Sequence, residues 1–354
     1  MEEASRNSHT IEGVIYTEWL NMINTKSSIL DEIKETIEKI FSIRVTEYAE
    51  INKGWLNLKW TLITSNGILF IKQYNSQRNP TSKEQRLNTA LSFQMKLSEN
   101  DIRCPHILTF KGDIILRTNQ NIRFIVTEYC DGNLINAGKI NCNQSHDLGV
   151  ELAKVHSIIN SQIDEKAIPT WVVPSKKQLI AEWNKNWLLT NERNTEDINY
   201  FLKLQREIFE NIDINIFEGC KHGWAHSDLW CDNILFYPDS LSAILDFDRL
   251  QYIYPELDIA RAILSFVLDN NCLRMNAVKA FIDGYNQIGN ISADDIIRSL
   301  KLLYCLESFW WLRSDSFNSE GPPKRFADEM VWLSVNWLNL EKILRELRAD
   351  SGCF

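Results

Sequence analysis

None of the eight cysteines, at positions 104, 130, 142, 220, 231, 272, 305 and 353, stands in a C-x-x-C pair or at a metal-like spacing from histidine. A chain of 354 residues has no need of disulfide staples, so free thiols are expected. Long apolar runs are also missing. The longest, such as Ala262 to Leu268, fall far short of the roughly 20 residues that a membrane span requires. The N-terminus has no basic region followed by an apolar one, so a cytoplasmic protein without a membrane partner is expected. Basic charge is in deficit: a net charge of -9 argues against nucleic acid, whose binding surfaces need clustered Lys and Arg. The same charge is compatible with a cationic small molecule. Internal repeats, low-complexity tracts and heptad runs are absent. What is present, 44% hydrophobic and 24% charged residues, is ordinary globular composition with chain enough for a real core, in one large or two modest domains.

The chemistry concentrates in Lys221 to Leu250, KHGWAHSDLWCDNILFYPDSLSAILDFDRL. A buried strand runs into a polar turn, a short hairpin follows, and a second acidic turn closes the segment. His226, Asp228 and Asn233 stand in the order H-x-D-L-x-x-x-N, with Asp246 beyond the hairpin in an Asp-Phe dipeptide. A hydroxyl is a poor nucleophile at neutral pH, so a carboxylate must orient it and take its proton as a bond to phosphorus forms. Asp228 is placed for that role. Magnesium keeps several waters and takes one or two oxygens from protein, which Asn233 and Asp246 can supply. His226, grouped with Asp228 in the catalytic turn, suits bracing by hydrogen bonds better than proton transfer.

In chain order, residues 1–27 read as a loose arm around the apolar cluster Val14 to Leu20. Ser28 to Phe41 places Ile29, Ile33, Ile37, Ile40 and Phe41 on one helical stripe. From Arg44 to Tyr74 the period becomes two, broken by Asn52-Lys53-Gly54 and Ser65-Asn66-Gly67, which predicts three antiparallel strands. A helix after Pro80 carries Glu84, Leu87, Leu91, Phe93 and Leu97. His106 to Lys111 and Arg123 to Tyr129 read as further strands, and the abrupt polarity of Glu128 to Gly132 marks a boundary between a domain at 28–130 and one at 131–354. Asp147 to Ile159 reads as a helix whose His156 is a satisfied core histidine rather than a ligand. Trp171, Trp183 and Trp187 read as core residues or as walls of a substrate lobe. Pro255 to Leu268 is a helix whose early Asp258, as a buried acid, can accept hydrogen bonds from the catalytic turn; a helix-dipole partner is the plainer alternative. Helices at Arg274 to Ile288, Ala293 to Phe309 and Ala327 to Leu347 follow, with Pro322-Pro323 as a break. Between Glu307 and Asp315 acids alternate with Trp310 and Trp311 in a way that suits an ammonium group, core packing being the alternative.

The set Lys72, Glu84, His226, Asp228, Asn233 and Asp246, with Leu-Ala-Lys-Val-His in 152–156 and Leu-Asp-Phe-Asp followed by Pro-Glu-Leu-Asp-Ile-Ala-Arg, resembles the aminoglycoside phosphotransferase and choline kinase-like family of small-molecule kinases. The resemblance covers roughly Ile43 to Leu268. It implies an α+β, two-lobed protein kinase-like fold with an antiparallel-sheet N-lobe and a mostly helical C-lobe. It implies ATP and Mg as cofactors and a small-molecule acceptor as partner. Under it, Lys72 grips the α and β phosphates and pairs with Glu84, the Gly54 turn covers the nucleotide, and adenine lies against the backbone of Glu128 to Cys130. Asp246 and Asn233 hold the metal, and Asp248 offers a second metal contact. Ser227 stands where the family commonly has glycine, with little consequence expected. No Ala-Pro-Glu segment and no long activation loop follow Asp246, which argues against protein substrates.

The leading expectation is therefore γ-phosphate transfer to a hydroxyl of a small molecule, such as a cationic amine or aminoglycoside-type antibiotic, with homoserine or a sugar as other acceptors. A non-catalytic structural protein resembling the spore-coat relatives is the alternative, which retention of Lys72, Asp228, Asn233 and Asp246 together disfavours. A hydrolase using Cys231 with His226 or His222 lacks an oxyanion-type glycine turn. A zinc pair of His222 and His226 lacks the H-E-x-x-H glutamate.

Overall fold

The computed structural model describes residues 26–51, 57–162, 167–190, 195–345 and 347. Contacts divide the chain into two compact units. One comprises the described residues up to Lys96 together with Pro105–Tyr129; the other comprises Leu97–Cys104 and the described residues from Cys130 onward.

In the N-terminal unit, helix α1 (26–41) is followed by β1 (Val45–Glu50), β2 (Lys59–Thr64) and β3 (Gly67–Gln73), then helix α2 (Glu84–Ser98), β4 (Ile107–Leu108), β5 (Leu116–Arg117) and β6 (Arg123–Glu128). The strands form one antiparallel sheet in the order β1-β2-β3-β6-β4, with β5 also paired to β6. The alternation expected from Arg44 to Tyr74 is thus three strands, and Ser65-Asn66 makes the tight turn between Thr64 and Gly67. Gly67 takes a φ of 118°, which suits glycine alone. Strand β6 is apolar on both sides because both faces of the sheet are covered. Phe124 and Val126 pack with Leu30, Ile33 and Ile37 of α1, while Ile125 packs with Leu87 and Leu91 of α2. Each such fully buried aliphatic side chain contributes on the order of 1.5–3 kcal/mol.

The C-terminal unit continues with α3 (Cys142–Ile159), α4 (Lys176–Thr190), α5 (Glu196–Asn211), β7 (Gly223–Ala225), β8 (Ile234–Tyr237), β9 (Ser240–Ile244), β10 (Gln251–Ile253) and α6 (Glu256–Val267). It ends with β11 (Leu268–Asp269), β12 (Cys272–Leu273), α7 (Met275–Tyr285), α8 (Ala293–Trp311), α9 (Ser314–Phe317), α10 (Pro322–Asn336) and α11 (Leu340–Ile343). Strong caps set several helix starts: Asn141 and Gln144 form a capping box on α3, and Ser292 and Asp295 another on α8. Helices α3 and α7 cross on glycine. A Cβ on Gly149 would lie 2.2 Å from the Phe281 carbonyl oxygen, and one on Gly284 would lie 2.0 Å from that of His146. Pro322-Pro323 is the start of α10 and not a break, because proline is accommodated in a first helical turn. Seven described cysteines are free thiols. No described helix is long and apolar enough to cross a membrane.

The expected boundary at 130/131 differs from the observed one in Cys130 and in Leu97–Cys104, which sit with the C-terminal unit. The cause is Arg103. Its guanidinium forks onto Asp147 at 2.6 and 2.8 Å, reaches Glu151 at 2.8 Å and donates to the Leu241 carbonyl at 3.0 Å. Its backbone N–H donates to Glu151 at 2.6 Å, and its carbonyl accepts from Ile244 N–H at 2.8 Å. Burial pushes the Asp147 carboxyl up, but the Arg103 hydrogen bonds, the Leu241 N–H and the Arg103 charge outweigh it and hold the group below the usual range. Its contribution to stability is present above the ordinary aspartate range and is lost as pH falls through the depressed pKa. Glu151 is fully buried, so Glu151→Ala should cost about 3 kcal/mol, the lower end for breaking a buried ion pair, since Arg103 keeps some solvent. Asp147→Asn should cost roughly 1 kcal/mol; equal denaturation midpoints for the two variants would refute this ranking.

Candidate active site

Strand β7 ends at the catalytic turn, where Ser227 adopts a left-handed conformation with φ 63°. Such a turn points successive backbone N–H groups the same way, and both need an acceptor. Asp258, in the first turn of α6 and 1% exposed, provides it: His226 N–H donates to Oδ2 at 2.6 Å and Ser227 N–H to Oδ1 at 2.8 Å. The expectation for Asp258 is met. His156 joins the same cluster, its Nε2 3.1 Å from Asp258 Oδ2 and its Nδ1 2.9 Å from the Tyr285 hydroxyl. Both ring nitrogens are engaged, so His156 is the buried, satisfied histidine the helix pattern predicts.

His226 uses both ring nitrogens. Nε2 lies 2.9 Å from the Leu245 carbonyl and Nδ1 accepts the Asp228 N–H at 3.2 Å, which fixes the tautomer with the proton on Nε2. Phe247 packs on its ring edge-to-face at 4.6 Å. A brace of this kind has no nitrogen left for zinc, and His222 is instead laid on Tyr254 at 4.2 Å between ring centroids. Burial pushes the Cys231 thiol up to about 12, so it is no nucleophile.

Asp228 is 27% exposed, with Arg249 at 3.4 Å from Oδ1. Asn233 Nδ2 donates to Asp228 twice, to the backbone carbonyl at 2.9 Å and to Oδ2 at 3.1 Å. Burial raises the Asp228 carboxyl above the usual aspartate range, with the nearby Asp246 charge adding to it and Arg249 opposing. A carboxylate raised in this way is the stronger proton acceptor when ionised. Because the Asn233 amide nitrogen is engaged by Asp228, its oxygen is the atom turned to other partners. Asp246 opens the second acidic turn with φ 60°, a conformation that aspartate tolerates better than most residues. An amide oxygen and a half-buried carboxylate are hard donors that fit a magnesium ion retaining waters and phosphate ligands. Among the described residues no group of three or more His, Cys, Asp or Glu could hold a metal ion. Asp248 lies half-buried one residue beyond Phe247 in the same turn.

In the N-terminal unit, Lys72 is 5% exposed on β3, opposite Ile125 of β6, and its ammonium lies 5.7 Å from the Tyr74 ring centre. The expected pairing of Lys72 with Glu84 is corrected. Both Glu84 carboxylate oxygens face arginine, one Arg117 at 2.5 Å and the other Arg123 at 3.0 Å. The Arg117 hydrogen bond, against burial and with help from Arg123, holds the Glu84 carboxyl below its usual range. Glu84 stands at the first position of α2, beside the β5–β6 hairpin that carries both arginines. That hairpin was unpredicted, since β5 is two residues long. Glu128 ends β6 with its side chain exposed and its N–H donated to the His106 carbonyl at 3.0 Å. Cys130 is half-buried at the start of the other unit. Gly54 lies outside the described residues.

The end of α8 also differs from expectation. Glu307 pairs with buried Arg261 and accepts the Trp311 indole N–H at 3.0 Å. Arg261 lies between Glu307 and fully buried Glu329, with which it pairs at 2.5 Å, and stacks over Phe326 at 4.7 Å. Trp311 contacts Phe326 at 4.8 Å, and Trp230 of the catalytic turn meets the same ring edge-to-face at 4.6 Å. Trp311 is therefore a packing residue, while Trp310 is 55% exposed. Asp315 is exposed and lies 3.5 Å from Arg313. Arg261 and Arg249 escaped the sequence reading, and only the acids they neutralise would have hinted at them.

A sheet-based N-terminal unit and a helical unit holding the H-x-D-L-x-x-x-N and Asp-Phe turns define a two-lobed, protein kinase-like phosphotransferase. Residues 47–296, more than half of the chain, match the model of the phosphotransferase enzyme family (APH), and the chain belongs to that family of small-molecule kinases. Solved structures agree on the fold. An aminoglycoside phosphotransferase from Alicyclobacillus acidocaldarius is 14% identical, with a TM-score of 0.58 over 86% of this chain and 92% of its own. A spectinomycin phosphotransferase, in complex with ADP and spectinomycin, is 12% identical with a TM-score of 0.54 over 90% and 98% of the two chains. An amicoumacin kinase, in complex with AMP-PNP and Ca2+, is 15% identical with a TM-score of 0.54 over 83% and 88%. No individually curated protein sequence matches the chain.

Two outcomes follow from the turn's geometry. Asp258→Ala should lower kcat at least tenfold while leaving the KM for MgATP within about twofold, because it frees the backbone that aims Asp228 without touching the nucleotide. An unchanged kcat would remove Asp258 from this role. Ser227→Gly should raise unfolding stability by up to about 1 kcal/mol, since a left-handed residue without Cβ is unstrained. A lower melting temperature in that variant would contradict it.

Proposed function

We propose that the chain transfers the γ-phosphate of ATP, with magnesium, to a hydroxyl of a small molecule. The observation that carries this reading is the Asp228 carboxylate, held by Asn233 and raised by burial, on a turn whose backbone is anchored by Asp258. In this reading the acceptor hydroxyl donates to Asp228, which orients it and takes its proton as the oxygen bonds to phosphorus. His226 keeps the turn in register through Leu245 and the Asp228 N–H. Asn233 and Asp246 would hold the magnesium, with Asp248 close by, and Lys72 would bind the α and β phosphates. Bound magnesium supplies charge neutralisation on the phosphate oxygens. Gly54 and the backbone of Glu128 to Cys130 would contribute to nucleotide binding. That a spectinomycin phosphotransferase of the same fold was crystallised with ADP and spectinomycin supports a nucleotide-dependent transfer to a small molecule.

An amine-bearing acceptor draws support from the net charge of -9. Glu307, the acid expected to orient such an amine, is already neutralised by Arg261. The proposal therefore specifies a hydroxyl and leaves the acceptor's charge open.

Asp228→Asn should retain nucleotide binding and lose turnover by at least roughly a hundredfold, the lower range for removal of a general base. Asp246→Ala should instead weaken MgATP binding, seen as a smaller melting-temperature shift at low magnesium. An Asp228→Asn enzyme with wild-type turnover would overturn the base assignment. Wild-type protein that neither shifts its melting temperature with MgATP nor forms ADP across a panel of antibiotics, amines, homoserine and sugars would favour the non-catalytic alternative.

A further inference from the structure

Asp258 holds the first half of the catalytic turn through its backbone, whereas the second half is packed through its side chains. Leu229, Trp230 and Cys231 are all buried, at 0%, 8% and 5% exposure. Trp230 stands between the two functional groups of the turn. Its N–H donates to the Asp228 carbonyl at 2.8 Å, and its carbonyl accepts the Asn233 N–H at 2.8 Å. Moving the Trp230 backbone therefore moves both. The Trp230 indole N–H is buried with no hydrogen-bond partner among the described residues, so ring packing, not a hydrogen bond, sets where the indole lies.

The ring it packs on is Phe326 of α10, met edge-to-face at 4.6 Å and 62°. Phe326 is in turn fixed by two other helices. The Arg261 guanidinium of α6 lies 4.7 Å over its ring, and Trp311 of α8 contacts it at 4.8 Å. Arg261, 6% exposed, is itself pinned by ion pairs to Glu307 and Glu329, and a guanidinium that left them would strand charge in the interior. Arg325, next to Phe326, pairs with Glu329 at 2.9 Å and donates to the Leu264 and Leu268 carbonyls at 2.8 and 2.6 Å, which seats the start of α10 on the end of α6. The same helix bears on the next residue of the turn: burial pushes the Cys231 thiol up, with the Asp232 and Glu329 charges adding to it.

We infer that Phe326 is a positioning residue for phosphoryl transfer: through the Trp230 indole it fixes the half of the catalytic turn that runs from Asp228 to Asn233. Helices α6, α8 and α10 thereby hold the aim of the base from one end of the turn, and Asp258 holds it from the other. The catalytic effect rests on the phosphotransfer reading above; the hold on the turn does not. Edge-to-face aromatic pairs are directional in a way that an aliphatic side chain cannot reproduce. A displacement of about 1 Å at a reacting group can cost roughly a hundredfold in rate.

The hold on the turn is read by amide hydrogen exchange on the full chain without nucleotide. In Phe326→Ala the segment 226–233 should exchange at least roughly fivefold faster than in the wild type, because the Trp230 and Asn233 N–H groups open more often, while α7 keeps its rate. Catalysis is read with any acceptor the enzyme phosphorylates. Phe326→Ala should lower kcat at least roughly tenfold with both KM values within about twofold, and Phe326→Tyr, which keeps the ring, should stay within about twofold of wild type. In a Trp230→Ala background Phe326→Ala should cost nothing further in kcat, since residues that act through one contact are not additive. Tyr304→Phe, which removes a hydrogen bond between α8 and α10 at Ser334, should lower the melting temperature and leave kcat unchanged. Exchange at 226–233 that is unchanged in Phe326→Ala, or raised equally in α7, overturns the hold. An unchanged kcat, an equal further loss in the Trp230→Ala background, or an acceptor KM raised at constant kcat overturns the positioning role. If Phe326→Ala does not fold, Phe326→Leu, which keeps apolar bulk without the ring, should show both effects at roughly threefold; a leucine variant that matches wild type in both overturns the proposal. If the wild type phosphorylates no acceptor while exchange behaves as described, the catalytic role falls with the transfer reading and the hold on the turn stands.

Discussion

A single buried carboxylate, Asp258, accepts the two backbone N–H groups that the left-handed Ser227 turn leaves without strand or helix partners. A buried amide without an acceptor costs on the order of 1–3 kcal/mol, so the turn persists because α6 brings that acid to it. The anchor is itself anchored, since His156 and Tyr285 tie Asp258 to α3 and α7. Three helices are thereby committed to the orientation of a loop that contributes Asp228 and Asn233. The glycine contact of Gly149 against α7 serves the same end, because it lets α3 and α7 approach closely enough for the His156–Tyr285 hydrogen bond.

Charge in both units is organised by internal neutralisation. Glu84, Glu151, Glu307 and Glu329 all meet arginine, as buried or half-buried carboxylates must when water is scarce. That rule changes the meaning of acids that look available in the sequence. Glu84 is engaged by Arg117 and Arg123 from the neighbouring hairpin, and Glu307 by Arg261. At Asp228 the compensation is weaker: Arg249 is exposed and 3.4 Å away, and burial raises the carboxyl.

Much of the fold was written in local pattern. The period of two in Arg44 to Tyr74 and the period of 3.6 in 28–41 depend on neighbours in sequence, and the observed elements follow them. The misses are elements that local pattern cannot specify. Strand β5 and the β11–β12 hairpin have two residues per strand and exist through their partners. Pro322-Pro323 reads alike as a break or as a first helical turn, and packing decided for the latter.

By itself the sequence determined the kind of chemistry. His226, Asp228, Asn233 and Asp246 lie within one short segment, so their spacing is enforced by covalent connection and a brief hairpin. His156 and Asp258, also foreseen, follow from helical periodicity and from the start of α6. Tertiary structure alone decided which arginine meets which acid, that Trp311 packs while Trp310 faces water, and that Leu97–Cys104 leaves the unit to which its neighbours belong. Those outcomes depend on side chains tens to more than a hundred residues apart, such as Arg103 and Leu241. A carboxylate carries no local mark of the partner that burial will assign to it, and so the pairing became visible only once the chain had folded.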